Sequence, residues 1–510
     1  MEKDNSFVKL LDAVFKRDDL RGVYPEAMNA DVAVLAARAF AELCGKMPCI
    51  AVGYDARLSS PELAQAVCRG VALAGGRTVE LGMVSSEQLY FACGQYPERF
   101  NGGVMVTASH NPAEYNGMKF LHAGGQPVTS EELSKVRRRM VEVHDIGGPT
   151  DEVVRSVPCD LNEAFAERML ALSPAPKELS SKPLRILVAA GNGVGAKAFR
   201  PIAQRLEHEG CEFVWLDDVP DGHFPHGVPN PLLPEYMSRI GEAVRTNGAQ
   251  LGIGFDGDAD RAGFVDENGT EIIPAQVYAL VVQDRLASWR RAGKPVVMRN
   301  LCCSQLIRDL FQDVAEVVDT PVGHGQIKQL MRHPRYCDRI LFAGEHSGHY
   351  FYPEFYSVDS GMLTSLALIR RTQRLQSEGK CLSGVLSEWR QNYCWSGERN
   401  FELPSRERVF GALQDVWGKL QEIPGAQRVE IRIDEELGLP RAFSGGAQYE
   451  PQAIRFPDLK VVVDHGDSGW WCVVRPSGNE PKLRLNVEAW GKDAPACCAE
   501  MTKQIASWLG

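Results

Sequence analysis

The sequence lacks the features that mark membrane-spanning, secreted and metal-ribbon proteins. It has no run of about 18 apolar residues, so no membrane-spanning helix is expected. Its first residues, Met1 to Asn5, lack the apolar core of a signal peptide. Its 14 cysteines never form a C-x-x-C spacing, which argues against a zinc ribbon or a thioredoxin-type site. Reduced thiols in the cytoplasm are the simplest interpretation.

The chain also lacks an excess of positive charge. Its formal net charge is −10, so nonspecific binding to nucleic acid is not expected. The composition, 44% hydrophobic and 24% charged over 510 residues, is that of a soluble globular protein with three or four domains. An acidic chain that binds a phosphorylated ligand needs a local basic patch, and a basic motif near the C-terminus can provide one.

Apolar strands alternate with helices through the first three quarters of the chain. This pattern predicts an α/β protein with three similar α/β domains and mixed sheets, followed by an α+β domain of antiparallel strands. We place the domains at residues 1–160, 161–270, 271–395 and 396–510. Residues 319–325 are expected to form a loop, and residues 434–457 a Gly/Pro-rich insertion. Open α/β sheets bind ligands at their strand ends, where several polar motifs of this chain lie.

The chain is organised around residues 104–112, Val-Met-Val-Thr-Ala-Ser-His-Asn-Pro. A buried strand is predicted to end here, because Pro112 cannot donate to a sheet. Ser109 is then exposed on a turn beside His110, and a following hairpin can return Lys119 to its vicinity. A serine with such neighbours is a candidate nucleophile with candidate bases. A serine turn with a solvated lysine is the alternative.

A second motif places Asp256, Asp258 and Asp260 directly after a predicted strand. Three converging carboxylates repel one another unless a cation neutralises them, so a hard divalent ion, most simply Mg²⁺, is the natural partner. An EF-hand loop is the rival, but its required glycine is replaced by Arg261 and its entering segment is a strand. A solvated acidic turn is the structural alternative.

A third motif, residues 191–196, fits the dinucleotide fingerprint G-x-G-x-x-A, and Asp217 follows at a suitable distance. Glycines at such a turn also allow a strand and a helix to pack closely, so the signal is weak. A nicotinamide-dependent dehydrogenase is therefore kept as the runner-up class.

Two further motifs suit a sugar phosphate. Residues 344–349, Gly-Glu-His-Ser-Gly-His, offer a carboxylate and a hydroxyl for vicinal sugar hydroxyls. Residues 475–484, Arg-Pro-Ser-Gly-Asn-Glu-Pro-Lys-Leu-Arg, combine cations, hydroxyl, amide and exposed backbone N–H groups, a mixture that binds a phosphate dianion. A polar turn and a solvated basic turn are the respective alternatives.

Taken together, these motifs resemble the α-D-phosphohexomutase superfamily, in particular its phosphomannomutase/phosphoglucomutase group. The resemblance runs from about Phe15 to the C-terminus and implies the four-domain phosphohexomutase architecture. The four loops of the family occur in order. Residues 107–112 resemble the phosphoserine loop and residues 256–261 the magnesium loop. Residues 344–349 resemble the sugar-specificity loop and residues 475–484 the phosphate-binding loop. Residues 220–225 and 320–324 resemble family stretches as well.

The resemblance implies an intramolecular phosphotransferase that interconverts hexose 1-phosphate and hexose 6-phosphate, with mannose, glucose or both as the hexose. It implies a phosphoserine at Ser109, Mg²⁺ bound by Ser109, Asp256, Asp258 and Asp260, and a hexose 1,6-bisphosphate that serves as intermediate and activator. The last domain is expected to close over the ligand. The implied partners are small-molecule hexose phosphates, not nucleic acid or a membrane, and the implied state is a monomer or dimer.

The resemblance also implies individual roles. Besides Ser109, the catalytic residues would be His110, Lys119, Arg261 and His349. The substrate-binding residues would be Arg21, Gly323, His324, Glu345, Ser347, Arg475, Ser477, Gly478, Asn479 and Arg484.

Four positions depart from the family pattern. An aromatic residue is missing before Asp19, Tyr54 stands where arginine is common, and Asn479 replaces a frequent threonine. His346 stands where methionine is usual in phosphomannomutases and glutamine in phosphoglucosamine mutases. These departures leave phosphoglucosamine mutase and a non-catalytic sugar-phosphate binding homologue as alternatives.

Overall fold

The computed structural model describes residues 5–144, 154, 156–433, 440–444, 459–477 and 481–509. The chain divides into two compact units, Met1–Ile273 with Gly348–Leu382, and Pro274–Ser347 with Ser383–Gly510. Over these described ranges, no helix combines the length and the apolar character needed to cross a membrane. All 14 cysteines are free thiols.

The first unit begins with a mixed sheet in the order β1-β5-β4-β2-β3-β7, with β6 beside β5. Strand β2 is parallel to both β3 and β4, whereas β5 is antiparallel to β4. The strands are β1 (Leu20–Val23), β2 (Cys49–Tyr54), β3 (Arg77–Met83), β4 (Gly102–Val106), β5 (Tyr115–His122), β6 (Gln126–Pro127) and β7 (Ser156–Pro158). The helices are α1 (Asn5–Val14), α2 (Ala30–Leu43), α3 (Ser60–Leu73), α4 (Ser86–Gln95) and α5 (Ser130–His144).

Local sequence explains where these helices begin. The Asn29 side chain caps α2 by accepting from the backbone N–H of Val32, and Ser85 forms a reciprocal capping box with Gln88 at the start of α4. Apolar side chains of α2, α3 and α5 pack with those of β2, β4 and β5 into one core. This core supports the carboxyl end of β4, where the Ser109 turn begins.

The first unit also holds a second mixed sheet, in the order β12-β11-β10-β8-β9. Strand β10 is parallel to β8 and antiparallel to β11. The elements are α6 (Asn162–Leu172), β8 (Leu184–Ala189), α7 (Gly195–Glu207), β9 (Cys211–Leu216), α8 (Pro234–Asn247), β10 (Leu251–Phe255), β11 (Ala262–Asp266) and β12 (Glu271–Ile272). The unit is completed by the antiparallel pair β16 (Tyr350–Tyr352) and β17 (Val358–Asp359), and by α12 (Gly361–Ser377).

The second unit contains an α/β part and an antiparallel part. In the α/β part, β13 is parallel to both β14 and β15. Its elements are α9 (Pro274–Ala287), β13 (Val296–Asn300), α10 (Gln305–Phe311), β14 (Glu316–Thr320), α11 (His324–Met331) and β15 (Ile340–Gly344), and α13 (Leu382–Asn392) follows later in the chain.

The antiparallel part has the strand order β18-β24-β23-β22-β20-β21, with β19 beside β24. Helices α14 and α15 contribute to its core. The elements are β18 (Tyr393–Trp395), β19 (Arg399–Glu402), α14 (Arg406–Gln421), β20 (Gln427–Ile433), β21 (Pro440–Ser444), β22 (Leu459–Asp464), β23 (Gly469–Pro476), β24 (Lys482–Trp490) and α15 (Ala494–Leu509).

The predicted fold class is confirmed: the sheets are mixed, and the C-terminal strands are antiparallel. Two local predictions are wrong. His324 and Gly325 begin α11 instead of lying in a loop, because Gly323 serves as its N-cap. Within the expected insertion, residues 440–444 form β21, which pairs with β20; the rest of residues 434–457 lies outside the described residues. The domain boundaries stay predictions.

Candidate active site

Ser109 lies on a turn directly after β4. Its φ of 50° is in the left-handed region, which a non-glycine residue seldom adopts outside turns and functional sites. Its hydroxyl is buried and lies 2.8 Å from Asp256 Oδ2 and 3.2 Å from His110 Nδ1. Arg261 Nη2 donates to the same hydroxyl at 2.6 Å. The serine, the imidazole and the arginine predicted for this site are therefore in direct contact.

Arg57, which was not predicted as a site residue, stabilises this turn through hydrogen bonds to its backbone. Its side chain is fully buried and pairs with Asp55. Its guanidinium donates to the backbone carbonyls of Ser109 and Asn111 at 2.9 and 2.6 Å, and to those of Pro112 and Tyr115 at 2.5 and 3.0 Å. The only local sign of this role is the Asp-x-Arg sequence just after β2, because the carbonyls that Arg57 contacts lie more than 50 residues away in the sequence.

The three predicted metal ligands lie together in the tight turn between β10 and β11. Asp256, Asp258 and Asp260 are all buried, and one oxygen from each lies within 4.8 Å of the other two. The flanking elements are strands, so the EF-hand alternative is wrong. Asp258 Oδ1 and Asp260 Oδ1 are buried without a hydrogen-bond partner in the described part of the chain. Two orphaned carboxylate oxygens and a third beside them fit a hard divalent cation.

Lys119 lies in this cluster, although its ammonium contacts the carboxylates instead of Ser109. The hairpin predicted from the sequence is present, since β5 pairs with β4 and brings Lys119 opposite Met105. Lys119 Nζ is 2.6 Å from both Asp258 Oδ2 and Asp260 Oδ2. Burial favours the neutral amine, but these two carboxylates outweigh it and raise the pKa of Lys119. The side chain therefore carries a fixed positive charge.

The electrostatics of the carboxylates differ. Burial chiefly raises the pKa of Asp256 to about 6, although Arg261 opposes the shift. Burial also acts on Asp258, but Lys119 outweighs it and holds the pKa of Asp258 well below its usual range. Three carboxylates against Lys119 and Arg261 leave one negative charge uncompensated when all five groups are ionised. The cluster is therefore suited to a cation and not to a further anion alone.

His349 lies beside the same cluster and is oriented by Asp359. His349 Nδ1 is 2.6 Å from Asp359 Oδ2, and Asp260, His349 and Asp359 offer ligand atoms within 4.8 Å of one another. A carboxylate accepts hydrogen bonds, so Nδ1 carries the proton and Nε2 is the basic nitrogen of the ring. His349 was predicted from the sequence, but Asp359, ten residues later, was not.

A buried glutamate supports the segment that carries Asp359. Glu87, at the start of α4, accepts a hydrogen bond from Ser360 Oγ and another, at 2.9 Å, from the backbone N–H of Met362. Burial outweighs these bonds and raises the pKa of Glu87 well above its ordinary value. The neighbouring Ser86 donates to Asp258 Oδ2 at 2.6 Å, so the start of α4 contacts both the carboxylate turn and the Asp359 segment.

Arg21, in β1, contacts the loop that carries Ser109. Its Nη1 donates to Asn111 Oδ1 at 2.7 Å, and its guanidinium pairs with Asp19. Both side chains are largely buried. Arg21 thus adds positive charge beside the turn that carries Ser109.

In the second unit, Glu345 and His346 follow β15 and are nearly buried. Glu345 Oε1 accepts from Asn300 Nδ2 at 2.8 Å and from the backbone N–H of Gly323 at 3.0 Å. Gly323 and Glu345, predicted as substrate-binding residues, are therefore in contact. His324 begins α11, and Ser347 is half-buried beyond His346. Asn300 is a partner that the sequence analysis missed.

The predicted phosphate-binding residues lie at one end of the β23–β24 pair. Arg475 and Arg484 are directly opposite each other in the strand register, and the Ser477 N–H donates to the Lys482 carbonyl where the strands turn. Both arginines contact Glu398, a residue that the sequence analysis did not single out. Gly478 and Asn479 lie outside the described residues.

The glycine motif at residues 191–196 has a packing explanation. A Cβ on Gly193 would lie 2.7 Å from the Gly257 carbonyl, and one on Gly195 would lie 2.8 Å from Phe255 Cβ. These glycines thus let the turn and α7 approach β10 and the carboxylate loop. Asp217, which would bind a ribose, instead pairs with Arg239 and His226. The dehydrogenase interpretation therefore loses its support.

The chain matches four family models in sequence order. They are described as phosphoglucomutase/phosphomannomutase alpha/beta/alpha domains I, II and III and C-terminal domain, and they match residues 12–145, 163–269, 274–393 and 414–504. Together they cover more than half of the chain, and the Ser109 turn and the carboxylate turn fall within the first two.

Similar full-length proteins bear related names. A phosphomannomutase from Salmonella montevideo is 32% identical over 504 residues, which cover 97% of this chain and 98% of the relative. A phosphomannomutase/phosphoglucomutase from Pseudomonas aeruginosa is 32% identical over 483 residues, or 94% and 92% of the two chains.

The fold has solved counterparts too. A phosphoglucomutase/phosphomannomutase family protein from Burkholderia thailandensis superposes with a TM-score of 0.75 at 24% identity, over 98% of this chain and 97% of its own. From the four matched domains and the full-length relatives, we conclude that the chain belongs to the phosphoglucomutase/phosphomannomutase family of the α-D-phosphohexomutase superfamily and is an isomerase of the phosphohexomutase type.

Proposed function

We propose that this protein interconverts hexose 1-phosphate and hexose 6-phosphate through a phosphoserine at Ser109 and a hexose 1,6-bisphosphate intermediate. The observation that carries the proposal is the contact of the Ser109 hydroxyl with Asp256, His110 and Arg261 at 2.6–3.2 Å. A hydroxyl that accepts from an arginine and lies beside an acidic metal-type cluster is suited to carry a phosphoryl group, because transfer depends on positioning and on neutralised oxygens.

Asp256, Asp258 and Asp260, with the phosphoryl group of Ser109, would hold the cation, which we propose to be Mg²⁺. When bound, Mg²⁺ supplies positive charge that stabilises the negative oxygens of the phosphoryl group. Arg261 and Lys119 add positive charge from the protein itself. Their buried positions make those charges effective, since water does not screen them.

The reaction consists of two phosphoryl transfers. In the first, the bond between phosphorus and Ser109 Oγ breaks, a bond forms to the free hydroxyl at C1 or C6 of the sugar, and that hydroxyl loses its proton. In the second, the other phosphoryl group passes to Ser109 Oγ, and the sugar oxygen that it leaves takes up a proton. The bisphosphate must be held between the two steps in both orientations, so that either end reacts with the same serine.

Proton transfer needs a group that changes its charge state. His349 meets this requirement best, because Asp359 at 2.6 Å fixes the proton on Nδ1 and leaves Nε2 basic. The carboxylates that raise the pKa of Lys119 make it a poor base at neutral pH, so we assign it charge stabilisation. His110 contacts the Ser109 hydroxyl and suits the proton exchange at that oxygen.

Residues of the second unit would recognise the part of the sugar phosphate that does not react. Glu345 and Ser347 can accept from and donate to sugar hydroxyls, with Gly323 and His324 beside them in the chain segment that contacts Glu345. Arg475, Ser477 and Arg484, with Gly478 and Asn479, would hold the phosphate that is not transferred.

A coupled isomerisation assay tests the proposal. Purified protein is given Mg²⁺ and a trace of glucose 1,6-bisphosphate, with mannose 1-phosphate, glucose 1-phosphate and glucosamine 1-phosphate as parallel substrates. We expect turnover of the mannose or glucose substrate, and loss of nearly all activity in Ser109→Ala, since Ser109 carries the hydroxyl that contacts both Asp256 and Arg261. A Ser109→Ala variant with unchanged activity would contradict the phosphoserine mechanism.

The same assay distinguishes the alternatives. Preference for glucosamine 1-phosphate would assign the protein to the phosphoglucosamine mutases. Binding of hexose phosphates by calorimetry without turnover of any of them would indicate a non-catalytic sugar-phosphate binding homologue.

A further inference from the structure

A single carboxylate in the second unit joins the two arginines that we assign to phosphate binding. Arg475 Nη2 donates to Glu398 Oε2 at 2.8 Å, and Arg484 Nη1 donates to Glu398 Oε1 at 2.8 Å. Each oxygen of the carboxylate thus takes one guanidinium. Arg484 Nε has no acceptor in the described ranges, so this guanidinium keeps a donor that Glu398 does not use.

Glu398 lies deeper than the arginines it holds. It directly precedes β19, which pairs with β24 so that Asn400 lies opposite Arg484. The exposed fraction of its side chain is 11%, against 15% for Arg475 and 31% for Arg484. The carboxylate is therefore more buried than either arginine side chain, and it contacts a terminal nitrogen of each guanidinium.

The Glu398 carboxylate also contacts residues 344–349, the segment that we propose to recognise the sugar. His346 Nε2 lies 3.4 Å from Glu398 Oε2, and Asn300 Nδ2 lies 3.1 Å from His346 Nδ1. Because a carboxylate accepts, the proton of His346 is assigned to Nε2, and Nδ1 can accept from the amide. Asn300 Nδ2 also donates to Glu345 at 2.8 Å. A chain of hydrogen bonds thus connects the proposed sugar-binding carboxylate with both arginines.

Glu398 stays ionised in this environment. Burial favours its protonated form, but the hydrogen bond from His346 and the charges of Arg475 and Arg484 outweigh burial and hold the pKa of Glu398 well below its usual range. A permanent negative charge beside a phosphate site repels the ligand. This charge favours binding only if the free energy gained by orienting the arginines exceeds the free energy lost to its repulsion of the phosphate.

We propose that Glu398 is a positioning residue that aims Arg475 and Arg484 at the substrate's phosphate and, through His346 and Asn300, links them to Glu345. The inference rests on the proposed function, because it takes the two arginines as phosphate ligands. It makes a prediction of definite sign: removing the negative charge of Glu398 weakens phosphate binding, although simple electrostatic repulsion predicts that binding becomes tighter.

The test compares Glu398→Gln, Glu398→Asp and a matched control, Glu402→Gln, in the full-length protein. Glu402 ends β19, the strand that Glu398 directly precedes, and its side chain is 81% exposed and paired with Lys482. Calorimetry measures the dissociation constants of inorganic phosphate and of glucose 1-phosphate. We expect Glu398→Gln to raise both by about tenfold or more, because two charge-assisted hydrogen bonds are weakened. Glu398→Asp should be intermediate, and Glu402→Gln should match the wild type.

Kinetics separate positioning from a general loss of structure. In the mutase assay we expect the KM of Glu398→Gln to rise in parallel with the dissociation constant, with kcat changed by less than about threefold, since the arginines grip the phosphate in both ground and transition states. Thermal unfolding checks that the variants are folded. If Glu398→Gln does not fold, the Glu398→Asp variant, which keeps the charge but withdraws it by one methylene, carries the same test.

Binding that becomes tighter or stays unchanged in the folded Glu398 variants would overturn the inference. Its failure is distinguishable from failure of the proposed function. A wild-type protein that binds glucose 1-phosphate without converting it contradicts the mutase assignment and leaves the role of Glu398 measurable. A wild-type protein that binds neither probe contradicts the phosphate site itself.

Discussion

At the scale of single residues, the decisive contact is the hydrogen bond between His349 and Asp359. The Asp359 carboxylate accepts a hydrogen bond from Nδ1 at 2.6 Å, and so selects the ring tautomer in which Nε2 carries no proton. His349 then has the orientation that a proton-transfer group requires.

Asp359→Asn tests this assignment. The amide keeps the size of the side chain but can donate to Nδ1, which favours the wrong tautomer. We expect kcat to fall about a hundredfold or more, with KM changed little, in the coupled assay. The exposed Asp313→Asn serves as a matched control and should behave as the wild type. Equal kcat values for Asp359→Asn and the wild type would contradict the assignment of His349 as a proton-transfer group that Asp359 orients.

The site residues differ in how far they could be predicted from the sequence. Ser109, Asp256 and His349 stand in short motifs whose chemistry is visible locally. Arg57, Asp359 and Glu398 were missed, because each acts through partners that only the folded chain brings near. Arg57, for example, donates to four carbonyls of residues 109–115, and the sequence around it indicates only a strand that ends.

At the scale of elements, the carboxylate turn and the Ser109 turn are packed against each other through a glycine. A Cβ on Gly257 would lie 2.5 Å from the Ser109 carbonyl oxygen, a distance that real contacts do not allow. This oxygen belongs to the backbone and accepts a hydrogen bond from Arg57, so displacing it costs free energy.

Gly257→Ala should therefore displace the Ser109 turn. We expect the free energy of unfolding to fall by about 1–3 kcal/mol and mutase activity to fall at least tenfold, measured by urea unfolding and the coupled assay. Gly418→Ala in α14 is the control, because its Cβ would meet nothing within 4 Å, and alanine should stabilise the helix by about 0.5–1 kcal/mol. Wild-type stability and activity in Gly257→Ala would contradict the close packing of the two turns.

Strand β12 carries a titratable group whose effect on stability depends on pH. Burial raises the pKa of Glu271 to about 7, so the folded protein holds this proton to a higher pH than the unfolded chain. The contribution of Glu271 is greatest at low pH and is lost as the pH rises through about 7.

The Glu271→Gln variant removes this dependence. Relative to the wild type, its free energy of unfolding should increase by about 1–3 kcal/mol between pH 5 and pH 8, measured by urea unfolding at both values. Glu131→Gln, whose side chain is 79% exposed, should show no such change. A difference between variant and wild type that does not vary with pH would contradict the raised pKa.

Elements with a strong local pattern were predicted well. Strands β4, β8 and β10 are apolar runs that lead into the polar turns singled out in the sequence. Helix α4 was not predicted, because it is largely buried and shows no clear amphipathic pattern. Strand β21 was taken for part of an insertion, because its backbone pairing with β20 is a tertiary contact.

At the scale of the whole molecule, we expect the three buried carboxylates to make stability depend on a bound cation. Two of their oxygens have no partner in the described residues, and without a cation one negative charge of the cluster stays uncompensated. Incubation with a chelator should abolish mutase activity and lower the Tm, and Mg²⁺ should restore both. At about 100 times its dissociation constant, Mg²⁺ should contribute about 2.7 kcal/mol.

The Asp258→Asn variant provides the control for this prediction. It should lose most of the Mg²⁺-dependent rise in Tm, because one ligand of the site is neutralised. Activity that persists in the wild type after thorough chelation would contradict the three-carboxylate site.

The family and the fold class could be predicted for the whole chain, since four separate motifs stand in order and the strand–helix pattern alternates. The hexose was not predictable. We expect sugar preference to depend on the positions of side chains such as Glu345 and His346, whose partners Asn300 and Glu398 lie 45 to 52 residues away in the sequence.

The most direct test of the central claim is to locate the phosphate on the enzyme. The purified protein is incubated with glucose 1,6-bisphosphate and Mg²⁺, digested, and its phosphopeptides are mapped by mass spectrometry, with Ser109→Ala treated in parallel. We predict one phosphate on Ser109 that disappears on incubation with excess glucose 6-phosphate, and none in the variant. Turnover of hexose phosphates by a protein whose Ser109 is never phosphorylated would contradict the account.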